Sequence, residues 1–496
     1  MMKPMTLIDR RAMIATTGAA LLLPRPLFAA STDAAFSWDR LVAQAQRLTR
    51  SPFRETPAHP GAARVDYDAL HQARFRDDRT VWDQPRDDVG IRFFPLSKHA
   101  NQPVTIALVE NGRARPLRYD PAMFDLPAGN AVGALGPDAG FSGFRVMNAA
   151  RDADWLSFLG ASYFRAAGAQ RQYGLSARAV AINTSLLGRE EFPRFTHFWL
   201  ERTGSSTLRV YALLDGASIT GAFRFDCRLT AQGVVQDVIA ALFPRRTIDE
   251  LGLMPMTSMF WYDQAQRTHG ADWRPEIHDS DMLSIASADG TVQARPIVNP
   301  RNPQTSIFEE VSPKGFGLLQ RDRDFSHYQD DGVFYERRPS LWATPQAPWG
   351  KGAVRLFTFP TDSEYTDNVA SYWTPAATPR AGRRIDLRYR LDWSSARHPD
   401  GAQLARVEDI WHGPTEDGGE RLVIDFAGAA GDVPDIRIDV AGGALTKKAG
   451  YFVQDKPGLF RAVVDVKRNG QPTEIRLQLR RGGGALSEYV HYPLGI

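Results

Sequence analysis

The chain has 496 residues, 43% hydrophobic and 10% aromatic, enough apolar side chains for two sizeable cores and too many for a disordered polypeptide. Its 60 Lys and Arg against 57 Asp and Glu leave a formal charge of +3, so no basic field for nucleic acid is indicated. A single cysteine, Cys227, excludes an intramolecular disulfide, and no Cys/His cluster has zinc spacing, so no structural metal is implied.

In chain order, Lys3 and the pair Arg10-Arg11 precede a mild apolar stretch from Ala12 to Leu23 and a small-residue ending at Phe28-Ala29-Ala30. Residues 1–30 therefore read as a twin-arginine signal peptide, cleaved after Ala29 or Ala30, with the mature chain released into the periplasm. No later apolar run is long enough to span a bilayer. Phe36 to Arg50 carries Trp38, Leu41, Val42, Ala45 and Leu48 at helical spacing, with Ser37 placed to cap and Phe36 to staple onto Leu41. A weaker helical stretch runs from Tyr67 to Phe75. The period then becomes two: Val104, Ile106 and Leu108 alternate, Asn111-Gly112 supplies a hairpin turn, and the pattern recurs through Val210–Leu214 and Phe223–Leu229. Cys227 lies within that alternation, as an inert packed thiol would. The Pro- and Ala-rich stretch Thr374–Gly382 predicts a linker at 377–383, separating a β-sheet body with many turns (31–376) from a C-terminal domain (384–496). The latter opens with alternation at Ile385, Leu387, Tyr389, Leu391 and Trp393, and ends in a hairpin about Asn469-Gly470. Its short, regularly spaced strands predict an immunoglobulin-like sandwich, so the fold class is all-β.

Residues 250–375 are dense in Trp, Tyr, His, Asp and Arg, as a sugar cleft would be: aromatic platforms for apolar sugar faces, interleaved with hydrogen-bonding groups for the hydroxyls. Trp261, Tyr262, Trp273, Tyr328, Tyr335, Trp342, Trp349 and Trp373 are the available rings, with about half of them expected to be ordinary core aromatics. Two acidic clusters, Arg274–Asp281 and Asp362–Asn368, offer the acid and base that glycoside hydrolysis needs, although such residues more commonly form turns or ion pairs. The glycine and ligand spacing of an EF-hand is absent, as are a Gly-x-Ser-x-Gly elbow, a P-loop and a dinucleotide fingerprint.

With Phe158–Ala166, Thr257–Tyr262, Arg274–Asp281, Tyr335–Trp342, Trp349–Val354, Thr366–Val369 and Tyr372–Pro375 in this order, the sequence resembles the periplasmic glucan biosynthesis proteins G and D of Gram-negative bacteria. The twin-arginine signal is similar to that of the D branch. The resemblance implies a mutarotase-like N-terminal sandwich and control of the β-1,2-linked glucose backbone of osmoregulated periplasmic glucans. The activity implied is that of an inverting endo-glucanase or a transglycosylase. Carried over by motif, Asp367 is the implied general acid, Asp279 the general base, and Tyr335 a positioning or proton-relay residue. Trp261, Tyr262, His278, Asp281, Arg337, Arg338, Trp342, Trp349, Asn368 and Trp373 are the implied glucan contacts. Met282-Leu283 stands where glycine commonly follows the aspartate at 281. The chemistry needs neither metal nor organic cofactor. A non-catalytic glucan-binding partner of the membrane glucan synthase, or of other glucan-modifying enzymes, is the alternative function. A homodimer is one option for assembly, although no heptad or interface stripe marks it.

Overall fold

The computed structural model describes residues 34–270, 272–395 and 403–495; the expected signal peptide at 1–30 lies outside the described residues. Strands dominate, in a sheet of 16 strands, a sheet of 10, one of four and two small ribbons. The all-β class therefore holds. The expected Asn111-Gly112 turn joins strands Thr105–Glu110 and Arg113–Pro116, and both turn residues have positive φ (50° and 71°), the geometry of a primed hairpin turn.

The two large sheets pack face to face because their strands alternate. In the 10-stranded sheet Phe144, Phe158 and Phe164 point inward, and from the 16-stranded sheet Phe195, Phe198, Phe223 and Phe225 meet them. These rings form a slab of stacked and edge-on contacts, such as Phe144–Phe158 at 5.1 Å and Phe158–Phe225 at 5.3 Å.

Helix Trp38–Leu48 is capped as its sequence predicts, Ser37 accepting from the Arg40 N–H at 3.3 Å. Its buried face, Leu41, Val42 and Ala45, covers Tyr211, Leu213, Ala222, Ala241 and Phe243 on the outer side of the 16-stranded sheet. Phe36 stacks on Trp199 at 5.1 Å and meets the edge of Tyr211 at 4.9 Å, so the expected staple is anchored on the sheet as well as the helix. The weaker helical stretch forms only Tyr67–Gln72, and Arg74–Phe75 is already strand.

Two expectations for the C-terminal region need correction. Strand Ile385–Ser394, read as the opening of a separate domain, lies inside the large sheet, between Gly233–Pro244 and Ser340–Pro345. Its alternation reports one buried face and does not name the partner. The Asn469-Gly470 turn does not close a ladder either. Leu459–Arg468 pairs within the four-stranded sheet, whereas Thr473–Arg481 pairs with Asp435–Ala441 and Tyr489–Leu494 in the 16-stranded one. The turn crosses between the two layers of a small sandwich, whose core holds Leu422, Ile424, Phe426, Phe460, Ile475, Leu477 and Leu479.

Tyr489–Leu494 also runs parallel to Val292–Pro296, so one layer of the small sandwich continues the large sheet. An ion pair reinforces the seam. Arg321 donates through both terminal nitrogens to Glu488, at 2.7 and 2.6 Å, and Glu488 also accepts from the Val407 N–H at 3.2 Å. The carboxylate is nearly buried, so Glu488→Ala strands a desolvated guanidinium and is expected to cost about 3–5 kcal/mol, read as a lowered thermal midpoint. Cys227 is fully packed, and burial pushes its thiol up to about 12. A thiol reagent is therefore expected to label the chain only once it is unfolded.

Candidate functional site

Strands Leu251–Ser258 and Val369–Pro375 pair antiparallel, with Ser258 opposite Val369. Where that ladder ends, the side chain of Asn368 continues it. Its Oδ1 accepts the Phe260 N–H at 2.9 Å, and its Nδ2 donates to the carbonyls of Phe260 at 3.0 Å and Phe359 at 2.9 Å. On the other side of the same backbone, the Asp279 N–H donates to the Met259 carbonyl at 2.8 Å, and Phe260–Tyr262 pairs with Ile277–His278. Two dipeptides, Asp367-Asn368 and His278-Asp279, are thus fastened to Met259-Phe260. Segments 88 residues apart in the chain bring Asp279 and Asp367 together.

The surroundings of the two carboxyl groups differ. Asp367 is partly open to solvent, with an Arg165 guanidinium nitrogen 3.8 Å away. Burial pushes its carboxyl above the ordinary aspartate value; the charge of Asp279 adds to that, while Arg165 and Arg178 pull against it. Asp279 is buried and ion-paired with Arg338. The Arg338 guanidinium lies over the Tyr335 ring, 4.0 Å from its centroid.

The Tyr335 hydroxyl donates to Glu364 Oε2 at 2.6 Å, and burial together with that carboxylate holds the phenol well above its ordinary value, so it stays protonated. Glu364 in turn accepts from both terminal nitrogens of Arg274, at 3.0 and 3.1 Å. Asp272 and Asp330 bind the same guanidinium at 2.6 and 2.9 Å. Asp367, Asp279, Tyr335 and Arg338 therefore form one group. Arg165, Arg178, Arg274 and Glu364 complete it, and none of these was singled out by residue type. Arg165, Arg274 and Glu364 do lie in sequence stretches already conspicuous, the Phe158–Ala166 segment and the two acidic clusters.

Several residues implied as glucan contacts are engaged by the protein itself. His278 is fully buried, between Gln320 at 2.9 Å and Glu276 at 2.9 Å. Burial alone would lower its pKa, but the hydrogen bond and charge of Glu276 outweigh it and raise the imidazole to about 9. Asp281 caps the Arg321 and Asp322 N–H groups at 2.7 and 2.8 Å. Asn368 is the clamp just described. Tyr262, Trp342 and Trp373 are buried, and Trp261 nearly so, hence these rings present almost no open face to a sugar. Trp342 belongs to the core of the small sandwich. Trp349 is half-buried against Trp373, at 5.5 Å. Arg337 is exposed, held by Glu336 at 3.0 Å and by the Phe334 ring at 4.1 Å. The open aromatics next to the site's charged groups in the chain are Trp273, before Arg274, and Tyr365, after Glu364.

For a cation, Glu276, Asp322 and His327 each bring one ligand atom within 4.8 Å of the others. Asp322 is already bonded to His327 at 2.6 Å and Glu276 to His278 at 2.9 Å, so the cluster carries its own positive partners.

If the Asn368 amide aligns the two aspartates, Asn368→Ala leaves the buried Phe260 N–H and carbonyl short of partners. About 2–4 kcal/mol of stability is expected to be lost, measured by denaturant unfolding, the buried donor and acceptor each costing about 1–3 kcal/mol.

Residues 36–494 match the family described as "Periplasmic glucan biosynthesis protein, MdoG". "Glucans biosynthesis protein D 2" of Ralstonia nicotianae is 38% identical over 526 residues, covering 98% of this chain and 97% of the relative. "Probable glucans biosynthesis protein D" of Shewanella oneidensis is 40% identical over 449 residues, covering 86% and 82%. Among solved structures, a galactose mutarotase related enzyme from Lactobacillus acidophilus overlaps 48% of this chain and 96% of its own, at 8% identity and a TM-score of 0.23. That overlap is too loose to carry an argument about the site. Among the described residues, no helix is long and apolar enough to cross a membrane.

Proposed function

The chain belongs to the periplasmic glucan biosynthesis protein family, and on that premise we propose that it hydrolyses or transfers within the β-1,2-linked glucose backbone of a periplasmic glucan. Its role is in periplasmic glucan biosynthesis, and its compartment is the periplasm. The observation that carries the catalytic reading is the meeting of Asp279 and Asp367 on either side of Met259-Phe260, in unlike surroundings.

Glycosidic cleavage needs a carboxylic acid that still holds its proton and a carboxylate that can accept one. Asp367, raised by burial, is the acid that protonates the departing glycosidic oxygen. Asp279, with Arg338 as its cationic partner, takes the proton of the attacking nucleophile, directly or through bridging hydroxyls or water. Water as nucleophile shortens the chain, and a sugar hydroxyl in its place gives transfer. Tyr335, fixed by Glu364 and stacked under Arg338, keeps that pair in line and supplies a hydroxyl beside it. No step calls on a metal or an organic cofactor.

Purified mature protein is expected to shorten or rearrange linear β-1,2-glucan, with Asp367→Asn binding the polymer while turnover falls by about 10²–10⁴-fold. Full turnover by that variant would remove Asp367 from the mechanism. Binding by the wild type without any change in chain length would favour a partner that steers the glucan synthase instead.

The acid works only while protonated, so the wild-type rate is expected to fall as pH rises through the raised value of Asp367. Stability has the same sign: the increment from a protonated Asp367 is present at low pH and lost as pH rises through that value. Asp367→Asn, which mimics the protonated form, is therefore expected to unfold no more easily than wild type at neutral pH, as a thermal melt would show.

A further inference from the structure

The register of the 10-stranded sheet puts a row of polar side chains on its outer face. Arg92 is directly opposite Arg145, Arg145 opposite Ser157, and Ser157 opposite Arg165. Side chains opposite one another in an antiparallel ladder share a face. Their chain neighbours Ile91, Phe93, Phe144, Val146, Leu156, Phe158 and Phe164 all point the other way, into the core. The row starts at Arg165, beside Asp367, and ends three strands away at Arg92, a distance of about 14 Å at the usual strand spacing.

At its far end the row opens into a groove of about 940 Å³, with Tyr67, His71, Phe94 and Leu159 among its walls. Tyr67 is exposed and stacks on His71 with the rings 5.9 Å apart. The charges in this groove are unevenly matched. Arg76 is neutralised by Asp78 and Asp125, and Arg92 reaches Asp77 at 2.7 Å. Arg145 makes no hydrogen bond or ion pair among the described residues. Its Nε is buried without a partner, and its guanidinium lies 5.5 Å from the centroid of the Phe94 ring. Two arginines directly opposite on neighbouring strands repel each other, and here only one has a carboxylate. Such an arrangement costs stability and offers an acceptor-seeking fork to a ligand.

We propose that this groove binds an anionic group, a carboxylate or a phosphate ester, borne on a saccharide, with Arg145 and Arg92 gripping the anion and the Tyr67–His71 stack meeting the sugar. Because the groove shares its face with Arg165 and Asp367, a glucan lying across the sheet reaches both. That last connection rests on the proposed function; the anion site itself does not.

The test uses the mature protein and four probes: glucose 6-phosphate, and linear β-1,2-gluco-oligosaccharides that are neutral, oxidised to a carboxylate at C6, or phosphorylated at C6. Calorimetry at low salt is expected to show the charged oligosaccharides binding at least tenfold more tightly than the neutral one. The advantage should shrink as salt is added. Comparison of the carboxylate and phosphate arms identifies the preferred anion. Arg145→Gln should abolish the advantage and leave neutral-glucan binding and turnover unchanged, with circular dichroism confirming the fold. Equal affinity of wild type for charged and neutral oligosaccharides overturns the proposal, as does a full advantage retained by Arg145→Gln. If wild type binds glucose 6-phosphate through Arg145 but ignores neutral glucan, the anion site stands and the glucanase reading falls.

Discussion

Two residues of backbone, Met259 and Phe260, are gripped from both sides, by the Asn368 side chain and by the Asp279 N–H. Everything at the site depends on that grip. A carboxylate at the end of a strand is ordinarily free to swing with its loop. Here Asp367 precedes a residue with a fully buried side chain and three hydrogen bonds, and Asp279 donates its own N–H into the same segment. Precision at this level comes from amide hydrogen bonds that the buried backbone must satisfy in any case, so the alignment follows from the closure of the ladder.

Beneath the grip lies a buried layer of charge. His278 is cationic between Glu276 and Gln320, and the Gln320 amide nitrogen shares its two hydrogens among the carbonyls of His278 and Tyr335 and the Tyr328 hydroxyl, at 3.0, 3.1 and 3.0 Å. Such a network specifies one arrangement, because displacing any member leaves another polar group unpaired in a dry interior. It also connects the Asp279 segment with the Tyr335 segment, the two that hold the carboxylate paired with Arg338 and the ring beneath it.

Much of the fold could be read from the sequence, because periodicity and turn chemistry are local. Ser37 caps, Asn111-Gly112 turns, and Phe223–Leu229 alternates into the core as the residue types require. Partner choice is not local, which is why the alternation of Ile385–Trp393 could not reveal that its strand completes the large sheet, nor Asn469-Gly470 that its flanking strands part company. At the site the same limit applies to aromatics and polar residues. Trp342, Trp373 and Tyr262 have the composition of sugar platforms and the burial of core rings, and composition does not separate the two. His278 and Asn368 look like ligand-facing residues because buried polar groups and functional ones draw on the same side chains; only their partners tell them apart. The arginines were hardest to see. Arg165 and Arg178 come near Asp367 only because their part of the ladder pairs with Leu251–Ser258, which in turn pairs with Val369–Pro375, strands far away in the chain.

Those arginines also explain how two aspartates in one site come to differ. Asp279 meets Arg338 within a mostly buried pair, where little water intervenes. Asp367 faces Arg165 across 3.8 Å with both groups partly solvated, and solvent screens that attraction far more than it relieves the burial of the carboxyl. The balance therefore raises Asp367 above the ordinary aspartate value beside an ion-paired Asp279. It would move further that way under a bound glucan. Water over Asp367 would be displaced, deepening its desolvation and strengthening the repulsion from Asp279, while Arg165 has its own hydrogen bond to Ser176 at 2.8 Å to hold it back from the carboxyl. In the function proposed above, substrate binding and proton retention would therefore be coupled, since a sugar entering from the open side would deepen the burial that already raises Asp367.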